Sequence, residues 1–233
     1  MSDGDGDIGN TSDGDGDIGN TSDGDAGSAQ DVDPALRAGV ALFNEGQYLA
    51  AHEPWEAAWL TLGKGDDERL LHGLIQFAAA THHARTGNDS GAVGTAEGAL
   101  GYLDGLGERH RGLALEPVRE WCRSVAADPA AIAEDVPPTL RIGGEAIGFD
   151  DLDLAATLAV LPAIAEATGI GDEGTMETAA EFAREERGTG RTRFAELAFA
   201  YLREPDARPQ IAARIADHVD RKRRQRDDVD GLF

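Results

Sequence analysis

Six side chains between residues 52 and 83 hold most of the chemistry this sequence could perform: His52, Glu53, Glu56, His72, Gln76 and His83. Histidine beside a carboxylate suits proton transfer near neutral pH. Imidazole with carboxylate oxygen also suits a divalent transition metal such as zinc, iron or nickel. His52 with Glu53 is the pair that could carry acid–base catalysis, and His52, Glu56 and His83 could supply three metal ligands. The surrounding string weighs against both. His52-Glu53-Pro54-Trp55-Glu56 lacks the second histidine of the zinc-protease H-E-x-x-H motif, and the paired Glu-x-x-His of di-iron bundles is absent. No nucleophile or phosphate-binding loop accompanies the pair. A hydrogen-bond network fixing the register of two helices, or a ligand site, accounts for the same residues without a reaction.

The spacing predicts which helices position these groups. At about 100° per residue, Tyr48, His52, Trp55 and Trp59 fall on one aromatic face of a helix over 47–62. Glu56 lies one turn from His52, where a carboxylate and a histidine can touch. Pro54 falls inside that helix and should kink it by removing a backbone bond. The next helix, 67–86, carries no charge from Leu70 to Ala84, which marks it as buried. Its polar residues His72, Gln76 and His83 share one stripe. A turn centred near residue 64 sets His52 opposite Gln76 and Glu56 opposite His72. Buried unpaired, such groups cost about 1–3 kcal/mol each, so they are expected to satisfy one another or to hold a ligand.

Around this pair the pattern is all-α. Asp33-Pro34 reads as the start of a helix running to Glu45, and Ser90 as the cap of one continuing to about 106. The short connections favour an up-down bundle over 33–107. A connecting segment, 108–149, carries a short helix with Trp121, a second brief one at Asp128-Pro129, and one short β-hairpin over about 139–149 turning at Gly143-Gly144. Helices resume over 151–167, interrupted near Pro162, then over 175–187, 191–203 and 208–226, forming a C-terminal helical region of 150–226 before a tail of 227–233. Cys122 is expected to be a buried, inert thiol, and Trp55 and Trp59 core residues.

These motifs carry a resemblance. Phe43-Asn44-Glu45-Gly46-x-Tyr48, Ala51-His52-Glu53-x-Trp55-Glu56-x-x-Trp59, Gly73-Leu74-Ile75-Gln76-x-Ala78-Ala79 and Gly87-Asn88-x-x-Gly91-Ala92 resemble domain-of-unknown-function family 309 over about 36–106. The resemblance implies a small all-helical fold whose recurring residues include His52, Glu53, Trp59, Gln76 and His83. It implies no activity. His72 lies outside that set, Pro54 departs from it, and nothing from Asp150 onward resembles a known family.

Composition bounds what remains. The net charge is −23, and ten of the 44 acidic residues lie in residues 1–33, where there is no basic residue. The remainder is still acidic, and only Lys64 and Lys222 are lysines among the 21 basic residues. Abundant carboxylates, few lysines and many small residues suggest a halophilic protein, since at ~1 M salt the screening length is only ~3 Å and suppresses self-repulsion. This charge argues against nucleic acid as a partner. The Arg221–Arg226 basic run stands at a helix end, where cations favour the dipole. Residues 1–32, with Ser2 to Thr11 repeated as Ser12 to Thr21, are expected to be a disordered acidic tail. Their Asp-x-Asp-x-Asp spacing lacks the glycine of a calcium loop. Without a signal peptide or an apolar run of membrane-spanning length, a soluble cytoplasmic protein is expected. A protein partner or self-association would engage the C-terminal helices.

Overall fold

A computed structural model describes residues 26–186 and 192–230. The first 25 residues, with both copies of the repeat, lie outside the described residues, as do 231–233. The described chain is built of helices α1 (Ala26–Asn44), α2 (His52–Trp59), α3 (Asp66–Arg85), α4 (Asp89–Leu103), α5 (Glu116–Ala127), α6 (Leu154–Thr168), α7 (Glu173–Glu185), α8 (Arg193–Arg203) and α9 (Arg208–Asp230). It is an all-α bundle with C-terminal helices, as the apolar periodicity predicts. No described helix is long and apolar enough to cross a membrane.

The first two helices depart from expectation, and both departures turn on proline. Helix α1 begins at Ala26, so Pro34 lies inside it and residues 26–32 are helical, not tail. Val32, 1 % exposed on the N-terminal side of the proline, reaches the core, and that burial carries the helix across the break. Helix α2 is shorter than the predicted 47–62. Turns occupy 48–51, with Ala51 N–H bonding to Gln47 O at 2.9 Å. Pro54 therefore falls in the first turn, where its missing N–H would have no helical partner anyway, and no kink is needed.

Packing runs in chain order through the first half: α1 against α2, α2 against α3, and α4 and α5 against α3 and one another. Close approach depends on two glycines. A Cβ at Gly39 would overlap the Trp55 indole, and one at Gly73 would lie 2.6 Å from Leu103 Cδ2. Asn88 caps α4, its Oδ1 accepting from Gly91 N–H at 3.1 Å, in place of the expected Ser90. In the second half α6 packs on α7 and α8, and α9 on α7 and α8. Pro162 lies within α6 without interrupting it, and turns replace the helix expected at Asp128-Pro129. Helix α9 runs to Asp230 through the start of the expected tail. The halves meet where α6 packs on α1 and α2, and the buried apolar residues form one cluster from Val32 to Val219. Within it, Leu36, Ala38, Val40, Ala41, Leu42 and Phe43 are each 2 % exposed or less, so α1 is buried all round from Ala38 to Phe43.

The predicted hairpin is present as β3 (Arg141–Ile142) and β4 (Glu145–Ala146), turning through Gly143 and Gly144 at φ 65° and 93°. It belongs to a four-stranded antiparallel sheet, with a second hairpin of β1 (Arg109–His110) and β2 (Leu113–Ala114) that the sequence reading misses. Leu113 pairs with Ile142 across the middle. Asn44, at the end of α1, ties down the base of β3–β4. Its amide donates to Leu140 O and Ile147 O at 3.0 and 2.9 Å, and its Oδ1 accepts from Leu140 N–H at 2.8 Å. The β1–β2 turn holds Arg111 at φ 45°, a conformation costly for a side-chain-bearing residue. Ion pairs offset it: Arg111 contacts Asp67 on α3 and Asp33 on α1, each at 2.5 Å, while His110 Nε2 lies 2.7 Å from Asp67. The guanidinium holds the Asp67 carboxyl down at about 2.

Candidate functional site

The six predicted residues do not converge. The buried stripe of α2 is Ala51, Pro54, Trp55 and Ala58, and it packs toward α1, with Trp55 Nε1 donating to Leu36 O at 3.2 Å. His52 and Glu56 flank this stripe. The His52 side chain is half-buried and forms no hydrogen bond, ion pair or ring contact with any described residue, while Glu56 is exposed. The expected contacts of His52 with Gln76 and of Glu56 with His72 are therefore absent among the described residues.

The helix-three stripe looks elsewhere. His72 is stacked on Tyr102 of α4, ring centroids 3.8 Å apart, and Trp59 lies tilted against it at 4.7 Å. Trp59 Nε1 donates to Glu68 Oε1 at 2.9 Å, and His72 Nδ1 lies 3.8 Å from that oxygen, beyond a hydrogen bond. Gln76 faces α4, where a Cβ at Gly98 would come within 3.3 Å of its Oε1. His83 Nδ1 lies 3.2 Å from Asn88 Nδ2. Since Asn88 Oδ1 accepts from Gly91, the amide donates to His83, making this histidine part of a helix junction. The antiparallel arithmetic holds next to the turn, at Trp59 and Glu68, and fails farther out because α2 leans on α1. His52, Glu56 and His83 are not brought into one ligand set.

Glu53 alone turns into a cleft. About 620 Å³ in volume, it lies where α1 and α2 meet α6 and α7. Its floor is apolar, including Pro34, Pro54, Ala58, Leu158 and Pro162, and its charged lining is Glu53, Glu173, Glu177, Glu181 and Arg184. The carboxyls of Glu53, Glu166 and Glu173 each present an oxygen within 4.8 Å of the other two, the only such group of three among the described residues. Burial, then a hydrogen bond with Glu166 and the charges of Glu166, Glu173 and Glu177, pushes the Glu53 carboxyl up to about 8. Near neutral pH this favours the protonated form of Glu53, whose hydroxyl can donate to Glu166. Such a pair can give up one proton, or clamp a cation with two or three carboxylates.

Sequence reasoning singles out neither Glu166 nor Glu173, because they lie over a hundred residues from Glu53 in the half without a resemblance. One signal was available. Glu173, Glu177 and Glu181 repeat at four-residue spacing, a pattern of like charges that costs an isolated helix a few tenths of a kcal/mol per pair (~0.2–0.5).

Elsewhere, the cysteine and the basic run sit in structural surroundings. Cys122 is fully buried, and burial pushes its thiol up to about 12, consistent with an inert side chain. In the basic run, Lys222 pairs with Glu186 at 2.5 Å and lies 4.8 Å above the Phe182 ring, and Arg226 pairs with Glu185. Much of that cluster thus binds α9 to α7.

Residues 36–95 match the family model described as a domain of unknown function (DUF309). The match starts within α1, takes in α2 and α3, and ends within α4, short of residue 106. No curated protein matches the chain at significant similarity. The cleft joins the two parts of the chain, with Glu53 from the matched segment and its acidic partners from α6 and α7 beyond it.

Proposed function

We propose that this protein binds a small molecule in the cleft between its N-terminal bundle and its C-terminal helices, acting as a binding protein and not through a His52-centred active site. The observation that supports this reading is the cleft itself. Apolar floor and convergent carboxyls meet there in one concavity, whereas the polar residues of α2 and α3 disperse into separate contacts. Its volume lies within the range of small-ligand pockets, roughly 300–1,000 Å³. Glu53 gives the cleft a polar anchor that can be charged or neutral near physiological pH.

Ligand-observed NMR with a fragment library tests the reading. Fragments that bind the wild type should lose binding in Ala159→Phe, which places a ring in the cleft at a half-buried position. Equal binding of the same fragments to both proteins would sink it.

A further inference from the structure

The cleft wall formed by α7 has a spacing of its own. Glu173, Glu177 and Glu181 all line the cleft and follow one another by one helical turn, about 6 Å along the axis. Glu53 stands at the Glu173 end, with Glu166 bonded to it. The lining holds four glutamates, Glu53, Glu173, Glu177 and Glu181, against one guanidinium, that of Arg184.

Hydrogen-bond donors are scarce there for a backbone reason. Pro34, Pro54 and Pro162 all line the cleft, and proline brings no N–H. Pro162 also leaves the Leu158 carbonyl without its helical donor, and Leu158 lines the cleft one turn away. Such a lining offers acceptors and negative charge at regular intervals over an apolar floor.

We propose that the cleft takes a linear aliphatic polyamine, its ammonium groups on the α7 carboxylates and at Glu53, which releases its proton to solvent when a cation binds, and its methylene runs on the proline- and alanine-lined floor. Each ammonium supplies three donors and no acceptor, the complement of this lining. An extended four-carbon spacer spans about one helical turn (~6 Å), which matches successive glutamates of α7. A lone divalent cation would use only the three carboxyls at the Glu53 end and leave Glu177, Glu181 and the floor without a role. The proposal rests on reading the cleft as a binding site.

Isothermal titration of the full chain with spermidine, 1,4-butanediol and magnesium chloride separates these ideas. All titrations are run at matched ionic strength, in KCl at which circular dichroism shows the protein folded. Spermidine is expected to bind one per chain, the diol not to bind, and magnesium not to displace spermidine. Glu177→Gln and Glu181→Gln, both exposed and nearly isosteric, should each weaken spermidine about tenfold, the usual scale for losing one charge-assisted hydrogen bond. Unchanged affinity in the double variant would reduce the effect to counter-ion attraction and overturn the proposal. Displacement of spermidine by magnesium would overturn it in favour of a metal site. Diol binding as tight as spermidine, lost in Ala159→Phe, would overturn the polyamine and leave the cleft reading standing. No binding by spermidine or diol, together with fragments indifferent to Ala159→Phe, would remove both.

Discussion

Glu53 keeps its proton into the neutral range because burial and neighbouring glutamates disfavour its charge, and the sign of that effect on stability follows. In the unfolded chain the carboxyl ionises near 4.5, and in the folded protein near 8. Below the lower value, both states are protonated and the site costs nothing. Between the two, the folded state must hold a proton the unfolded state has released, so its contribution falls steadily and levels off above about 8. Glu53→Gln removes this slope. Thermal melts from pH 4 to 9 should show the variant gaining on the wild type as pH rises, then a plateau; parallel curves would count against a proton held on Glu53. Gly39 provides a second test. With Trp55 against its Cα, Gly39→Ala forces the indole or α1 to move, at a cost of about 1–3 kcal/mol or more in urea unfolding. Both residues show what the sequence can and cannot say at this scale. Inward-facing histidines were legible as a stripe on α3, but the partners of each were not. A helical wheel gives the direction of a side chain relative to its own helix, not which of three neighbours that helix leans on.

Among the elements, the long regular helices were legible and their ends were not. Helix α3 departs from its predicted bounds by one residue at each end, since an uncharged run between acidic and basic turns leaves little choice. Helices α1 and α2 went astray at Pro34 and Pro54, because proline is tolerated or excluded according to position in the helix, and tertiary burial decides that position. The β1–β2 hairpin was illegible for a related reason. Its turn places Arg111 where asparagine or glycine is usual, and the compensation comes from Asp33 and Asp67, far away in sequence. The β3–β4 hairpin, by contrast, announced itself through Gly143-Gly144, and Asn44 ties it to α1. Asn44→Ala should cost about 1–3 kcal/mol by removing bonds to three backbone groups. Hydrogen exchange should show protection lost over 140–147 and retained in α3. Uniform loss across both would mean that the asparagine supports the whole fold and not this hairpin.

For the molecule as a whole, net charge is the widest-ranging property, and acidity spreads over exposed faces of both halves, including the Glu173–Glu177–Glu181 row. If its surface is adapted to salt, the melting temperature should climb as KCl is raised from about 0.2 M toward about 2 M, where screening acts over only a few ångströms. A flat or falling curve would mark an ordinary acidic protein. The enclosed stretch of the first helix, Ala38 to Phe43, has a further consequence, for how such chains can diverge. One side of α1 meets α2, within the segment that matches the family, and another meets α6, outside it. A gene encoding the matched helices alone could not inherit this α1 unchanged, because its α6-facing surface would lie bare in water. Homologues that stop after α4 should therefore carry charged or polar residues among the positions of Leu36 to Phe43, and chains that keep those positions apolar should retain a cover of some kind. Homologues that stop after α4 yet keep those positions apolar and remain monomeric in solution would break the rule.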